Sequence, residues 1–333
     1  MTSSKGVAVV TGGSAGLGRA TVRLLAQSGY DVAVLARGTD GVEGAVRDVQ
    51  AVGRSGLGVP TDVSDWSQVS AAAERVERDL GPIDVWVNNA MASVFARFWE
   101  VDPDDFVRAT QVTYLGQVNG TRAALHHMRP RNHGTIVNVG SALAYRGIPL
   151  QAAYCGAKHA VIGFTESVLT ELRNEGSAIT VSMVQMPGMN TPQFNWVRSA
   201  LPHHPQPVPP IFQPEVGARA IVDIIEHPRR NAWVALSTAG TITGNRIFPG
   251  LLDRYLAKTG VKSQQTTKDS RPQIGDNLYS PVPGDSGAHG DFDARAHEGA
   301  LWPGLRSTKV GFVAGVGAGI AAALAAVIRT ARS

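Results

Sequence analysis

The 333 residues predict an α/β fold: a doubly wound, mostly parallel sheet with helices on both faces, followed by a C-terminal linker and an apolar helix. Two observations carry this expectation. Short apolar runs rich in β-branched residues recur along the first 258 positions, and several are nearly continuous rather than alternating, as strands buried on both faces are. Between them lie longer segments of helical period, and repeated strand–helix–strand units wind a parallel sheet. The composition, 43% hydrophobic and 17% charged, is that of a globular chain. The charge balance of 31 minus 27 gives +4, with no polybasic block, which argues against nucleic acid as a partner. A single cysteine, Cys155, excludes an internal disulfide framework and a cysteine-rich metal site.

In order, the strand runs are 7–11, 31–36, 83–88, 135–139, 179–184 and 232–236, and the helix candidates include 18–28, 67–80, 104–127 and 152–174. The first run ends in Gly12-Gly13-Ser14-Ala15-Gly16-Leu17-Gly18, directly before a helical pattern. Gly12, Gly16 and Gly18 lack a Cβ, so the loop can turn tightly and bring its amides to a pyrophosphate. The positive end of the new helix then faces the same phosphates. Strand, glycine loop and helix in this sequence are the context a dinucleotide cradle requires.

The end of the second strand reads Val34-Leu35-Ala36-Arg37, with no carboxylate before Asp40. A carboxylate there would accept hydrogen bonds from a ribose 2′-hydroxyl, whereas the Arg37 fork suits a 2′-phosphate. NADP(H) is therefore favoured over NAD(H).

Tyr154 and Lys158 are four apart in a helical segment and project from one face, and Ser141 follows the strand at 135–139. A phenol titrates near 10 and a useful acid–base group near 7, a gap of about 4 kcal/mol. A neighbouring ammonium favours the phenolate and narrows that gap. Ser141 can hydrogen-bond a substrate oxygen and hold it against the phenol.

Together, Thr11-Gly12-x-x-x-Gly16-x-Gly18, Asp62-Val63, Asn88-Asn89-Ala90, Ser141, Tyr154-x-x-x-Lys158 and Pro187-Gly188-x-x-Thr191 resemble the short-chain dehydrogenase/reductase family over roughly residues 5–251. The glycine pattern is similar to that of its single-domain branch. The resemblance implies a Rossmann-like domain with a seven-stranded sheet, and hydride transfer between a nicotinamide and a carbonyl or alcohol. It implies Tyr154 as proton donor or acceptor, Lys158 also on the nicotinamide ribose, and Ser141 orienting the substrate. Asp62 and Val63 would lie beside the adenine, Asn89 would steady the sheet near the cofactor, and Thr191 would hold the carboxamide. It also implies a homo-oligomer. Two positions depart from the family: Met91 stands where it has glycine, and Thr113 where it has the asparagine of a proton relay.

Residues 189–212 hold Phe194, Trp196, Leu201, Ile211 and Phe212. By analogy they form a lid whose apolar wall, with Phe95, Phe98 and Trp99, suits an apolar small-molecule substrate; packing beneath the lid or at a subunit interface is the equal alternative. The histidine pairs lack carboxylates at ligand spacing and are not read as a metal site.

Composition divides the chain into a catalytic domain at 1–258, a polar, Pro- and Gly-rich linker or loosely docked arm at 259–308, and an apolar helix at 309–329. The nineteen uncharged residues 310–328 are flanked by Arg306, Lys309, Arg329 and Arg332. As a helix they would span about 28 Å, which suits a bilayer core and predicts a cytoplasm-facing enzyme tethered to a membrane. Eleven of the nineteen are Gly or Ala, so a docking helix is the competing reading. A different class of function would be a membrane-tethered, nucleotide-binding regulator or scaffold with little turnover.

Overall fold

The computed structural model describes residues 4–269 and 275–301. The apolar run 310–328 and its flanking charges lie outside the described residues. Among the described residues, no helix is long and apolar enough to cross a membrane.

A seven-stranded parallel sheet forms the centre. Its strands are β1 (Val7–Thr11), β2 (Asp31–Ala36), β3 (Gly56–Pro60), β4 (Ile83–Asn88), β5 (Thr135–Ser141), β6 (Thr180–Met186) and β7 (Asn231–Trp233). They are ordered β7-β6-β5-β4-β1-β2-β3, so the chain winds outward from β1 in both directions. The reversal between β1 and β4 opens a crevice at the carboxyl ends of the strands, where open α/β sheets bind ligands. Both faces are covered. Ala8, Val10, Val32, Val34 and Val137 belong to one buried cluster, and Val7, Val9, Leu35, Trp86 and Ile136 to the other.

The helices flanking the sheet are α1 (Gly16–Gln27), α2 (Thr39–Ala51), α3 (Trp66–Asp79), α4 (Pro103–Thr110), α5 (Gly116–Met128), α6 (Ala152–Asn174) and α7 (Pro214–Glu226). The Asp65 and Asp102 carboxylates cap α3 and α4 by accepting from backbone amides of the first turn. After β7, α8 (Ala235–Ile247) and α9 (Pro249–Thr259) form a helical pair.

The structure corrects three expectations. The helix expected at 104–127 is two helices joined by a π turn at Gln111–Leu115. The strand expected at 232–236 ends at Trp233, because α8 begins at Ala235, whose φ of 67° lies in the left-handed region. The third concerns the polar segment after residue 258. Expected as a linker or a loosely docked arm, its described residues are packed firmly on the domain: Leu278 is fully buried in the cluster of Val63 and Val112, Ala288 packs with Ala20 and Ala218, and Phe292 lies against Phe194. Composition misled because a few apolar anchors and several ion pairs hold the segment, not a broad hydrophobic face.

Candidate active site

The glycine loop between β1 and α1 folds for a steric reason. A Cβ on Gly18 would lie 2.1 Å from the Gly12 carbonyl oxygen, and Gly12 itself has φ +66° with Ala90 backbone against it. Asn89 anchors the loop from β4, donating its side-chain amide to the carbonyls of Thr11 (3.1 Å) and Gly12 (3.2 Å). No side chain caps the start of α1 and its first turn holds no acidic residue, so positive helix-end potential meets the cavity.

At the end of β5, the Ser141 amide donates to Gln185 Oε1 at 2.9 Å, and the Ser141 hydroxyl oxygen accepts from the Leu143 amide. Tyr154 and Lys158 project from the first turns of α6. The Lys158 Nζ lies 5.7 Å from the Tyr154 ring centroid and donates to the Val139 carbonyl at 2.6 Å. Gln117 donates to the same carbonyl at 3.0 Å. Tyr154 is half-buried, and burial pushes its phenol up to about 12, against the opposing hydrogen bond with Ser141. Lys158 is only 2% exposed, and burial pushes its amine down to about 7.

A cavity of about 580 Å³ joins these groups, a volume suited to a cofactor or drug-sized ligand. Gly12, Ser14, Gly16, Leu17, Gly18, Arg37, Asp62, Val63, Asn89 and Ala90 line it, and so do Ser141, Tyr154, Lys158, Pro187, Gly188 and Thr191. Thr191 lies against the glycine loop, its Cβ 3.1 Å from where a Cβ on Gly16 would sit. Met91 also lines the cavity. Thr113 does not: its hydroxyl donates to the Ala92 carbonyl (2.7 Å) and accepts from the Ala92 amide (2.9 Å), pinning the loop after β4. The expected relay position thus holds a buried brace, with its side chain turned to Ala92.

Arg37 is placed differently from a free 2′-phosphate clasp. Its guanidinium donates to the carbonyls of Asn277 and Leu278, and burial lowers its pKa below the ordinary arginine value. Asp62 pairs with Arg108 at 2.5 Å and accepts from Ser64. Burial alone would raise the Asp62 carboxyl, but these hydrogen bonds prevail and hold it below the usual range.

On the substrate side, Phe95, Phe194 and Trp196 line the cavity, joined by Leu143, Ile148, Val208, Leu252 and Tyr255. Leu201 and Ile211 pack beneath the lid with Phe95 and Phe194, and Phe212 joins the main core. Phe98 and Trp99 do not reach the site; they are 67% and 75% exposed on the surface. The lining also includes polar groups that sequence reasoning missed, among them Gln151, Gln193, Arg146 and Thr238. No motif marks them, because their elements meet only in the fold.

A family model described as short chain dehydrogenase matches residues 6–201. The uncharacterized oxidoreductase YxnA of Bacillus subtilis is 32% identical over 82% of this chain and 77% of its own length. A short-chain dehydrogenase/reductase from Burkholderia phymatum, solved with NAD, superposes with a TM-score of 0.67 at 23% identity, covering 76% of this chain and 97% of that one. An alcohol dehydrogenase from Thermococcus sibiricus, complexed with 5-hydroxy-NADP, gives 0.60 at 24% identity over 68% and 94%. These likenesses are to a nucleotide-binding oxidoreductase fold. The chain belongs to the short-chain dehydrogenase/reductase family, whose members use NAD(P) to act on CH–OH or C=O groups.

Proposed function

We propose that the chain is an NADP(H)-dependent oxidoreductase that interconverts a carbonyl and an alcohol on a largely apolar substrate. The observation that carries this reading is one cavity lined both by Ser141, Tyr154 and Lys158 and by the uncapped glycine loop. The loop fits a pyrophosphate because its amides and helix end offer positive potential, while side chains there would collide with backbone. When bound, the nicotinamide supplies the hydride or accepts it.

The chain's own residues manage the proton and the geometry. Ser141, fixed through Gln185, orients the substrate oxygen. Tyr154 gives a proton to that oxygen in reduction and takes one in oxidation. Lys158, held on the Val139 carbonyl, draws the phenol down from its buried value when its amine is protonated. Asp62 and Val63 would wall the adenine, and Thr191 would meet the carboxamide.

Arg37 and the lack of a carboxylate at the end of β2 support the NADP(H) preference. In Tyr154→Phe, turnover of apolar ketones with NADPH should fall by about 10²–10⁴ while NADPH binding persists. In Arg37→Asp the ratio of NADPH to NADH affinity should invert, and an unchanged ratio would reject the clasp. The uncharged run 310–328 supports a membrane tether for the same cytoplasm-facing enzyme, tested by resistance of the full chain to carbonate extraction. The exposed side chains of Val107 and Leu115 support a homo-oligomer, to be read by light scattering.

A further inference from the structure

The segment from Asn277 to Gly290 runs beside the cavity from Arg37 at the end of β2 to Gly16 in the glycine loop, and its contacts are those of a fastened strap. Asn277, Pro281, Val282, Gly284 and Ser286 contribute to the wall of the same cavity that the glycine loop lines. At its near end the segment caps Arg37 through two carbonyls, and the Leu278 carbonyl also accepts from Arg108 Nε at 3.1 Å. In the middle, the Gly284 amide donates to Asp40 at 2.8 Å, just beyond β2. At the far end, the Gly287 carbonyl accepts from the amide of Gly16, inside the phosphate cradle itself, at 3.0 Å.

The latch is an ion pair. Asp285 receives two hydrogen bonds from the buried Arg19 guanidinium, at 2.9 and 3.3 Å. Arg19 is held from behind by Asp48 at 2.6 Å and by the carbonyls of Ser14 and Gly41, so it cannot follow a departing Asp285. Gly44 leaves the room for this contact, since a Cβ there would lie 1.9 Å from an Asp285 oxygen. Past the latch, His289 bridges Glu215 and Asp293 at 2.9 and 3.1 Å, tying the strap to α7.

We infer that Asn277–Gly290 is a strap built over the cofactor cleft, latched by Asp285 on Arg19, which must unlatch for a pyridine dinucleotide to enter or leave. The inference rests on the dinucleotide reading of the cavity and deepens it: the site encloses its cofactor instead of leaving the adenosine half open to solvent. Asp285 and Arg19 are then positioning residues for cofactor exchange rather than catalytic ones.

The test measures exchange on the full chain, with NADPH and NADH as probes, by displacing fluorescent reduced cofactor with excess oxidised cofactor in a stopped-flow instrument. Asp285→Asn should accelerate release at least tenfold. A second variant does not depend on weakening the fold. A Cβ built on Gly38 lies 3.2 Å from the Pro281 Cβ, near the separation a disulfide spans. Gly38→Cys with Pro281→Cys, once oxidised, should exchange at least tenfold more slowly than the same protein reduced. The lone native Cys155 is buried and does not compete. Wild-type exchange in Asp285→Asn, together with equal rates in the oxidised and reduced double variant whose crosslink mass spectrometry verifies, would overturn the strap while leaving the dinucleotide reading intact. No uptake of either cofactor by the wild type would overturn both.

Discussion

Tyr154 and Lys158 are displaced from their ordinary values in opposite directions, the phenol upward and the amine downward, and burial is the main cause of both. The amine therefore carries a stability penalty with a definite pH signature. Its folded value near 7 lies below its ordinary 10.5, so the unfolded chain binds more protons across that window. Stability accordingly rises with pH from about 7 towards 10.5. The full penalty, roughly 5 kcal/mol as a ceiling, applies below pH 7. Lys158→Met should therefore raise the melting temperature at pH 6.5, with the gain shrinking by pH 9.5, while turnover is lost. Calorimetry at the two pH values checks this, and equal gains at both would reject it. Gln117 still donates to the Val139 carbonyl in that variant, so the acceptor is not orphaned. The grouping of Ser141, Tyr154 and Lys158 on one cavity was legible in the sequence because local spacing and residue type mark all three. Thr113 was not, because whether its hydroxyl faces Lys158 or Ala92 is decided by a π turn that a helical pattern conceals.

At the scale of elements, the strand pattern is plain in the sequence at the centre of the sheet and faint at its β3 edge. Central β1 and β2 are continuous apolar runs, whereas edge strand β3 reads Gly56-Leu57-Gly58-Val59-Pro60. Two glycines and a proline are tolerated there because an edge strand has one unpaired side. The π turn between α4 and α5 carries no breaker residue to mark it, and helix continues on both sides of Gln111–Leu115. The glycine loop gives a sharper expectation. Gly18→Ala places a methyl against the Gly12 carbonyl, so the loop must move. NADPH affinity should fall at least tenfold, as read by titration calorimetry, and the melting temperature should drop. An alanine variant with native affinity would show that the cradle is not the cofactor site.

For the whole molecule, the described C-terminal segment is part of the domain's architecture. Removing residues 275–333 empties the sockets of Leu278 and Phe292. Each buried side chain of that size is worth about 1.5–3 kcal/mol. At about 2–4 °C per kcal/mol for a domain of this size, the truncated protein should melt roughly 6 °C or more below the full chain. Scanning calorimetry on both proteins tests it, and coincident melting curves would mean the segment adds nothing. Its importance was hidden from composition because the sequence shows neither which polar residues meet partners nor where three isolated apolar side chains land.

A row of amides runs beneath the chemistry. Trp86 Nε1 donates to Asn88 Oδ1, Asn88 Nδ2 to Asn138 Oδ1, and Asn138 Nδ2 to Thr165 Oγ1, all between 2.8 and 2.9 Å. Greasy contacts tolerate slippage, whereas this row has one seating: were α6 to slide by a residue, a carboxamide would be stranded in hydrocarbon. The phenol-bearing helix is keyed to the sheet like a tooth in a lock, so the loops that shape the far wall can diverge in sequence without shifting the Tyr154 hydroxyl relative to the strands.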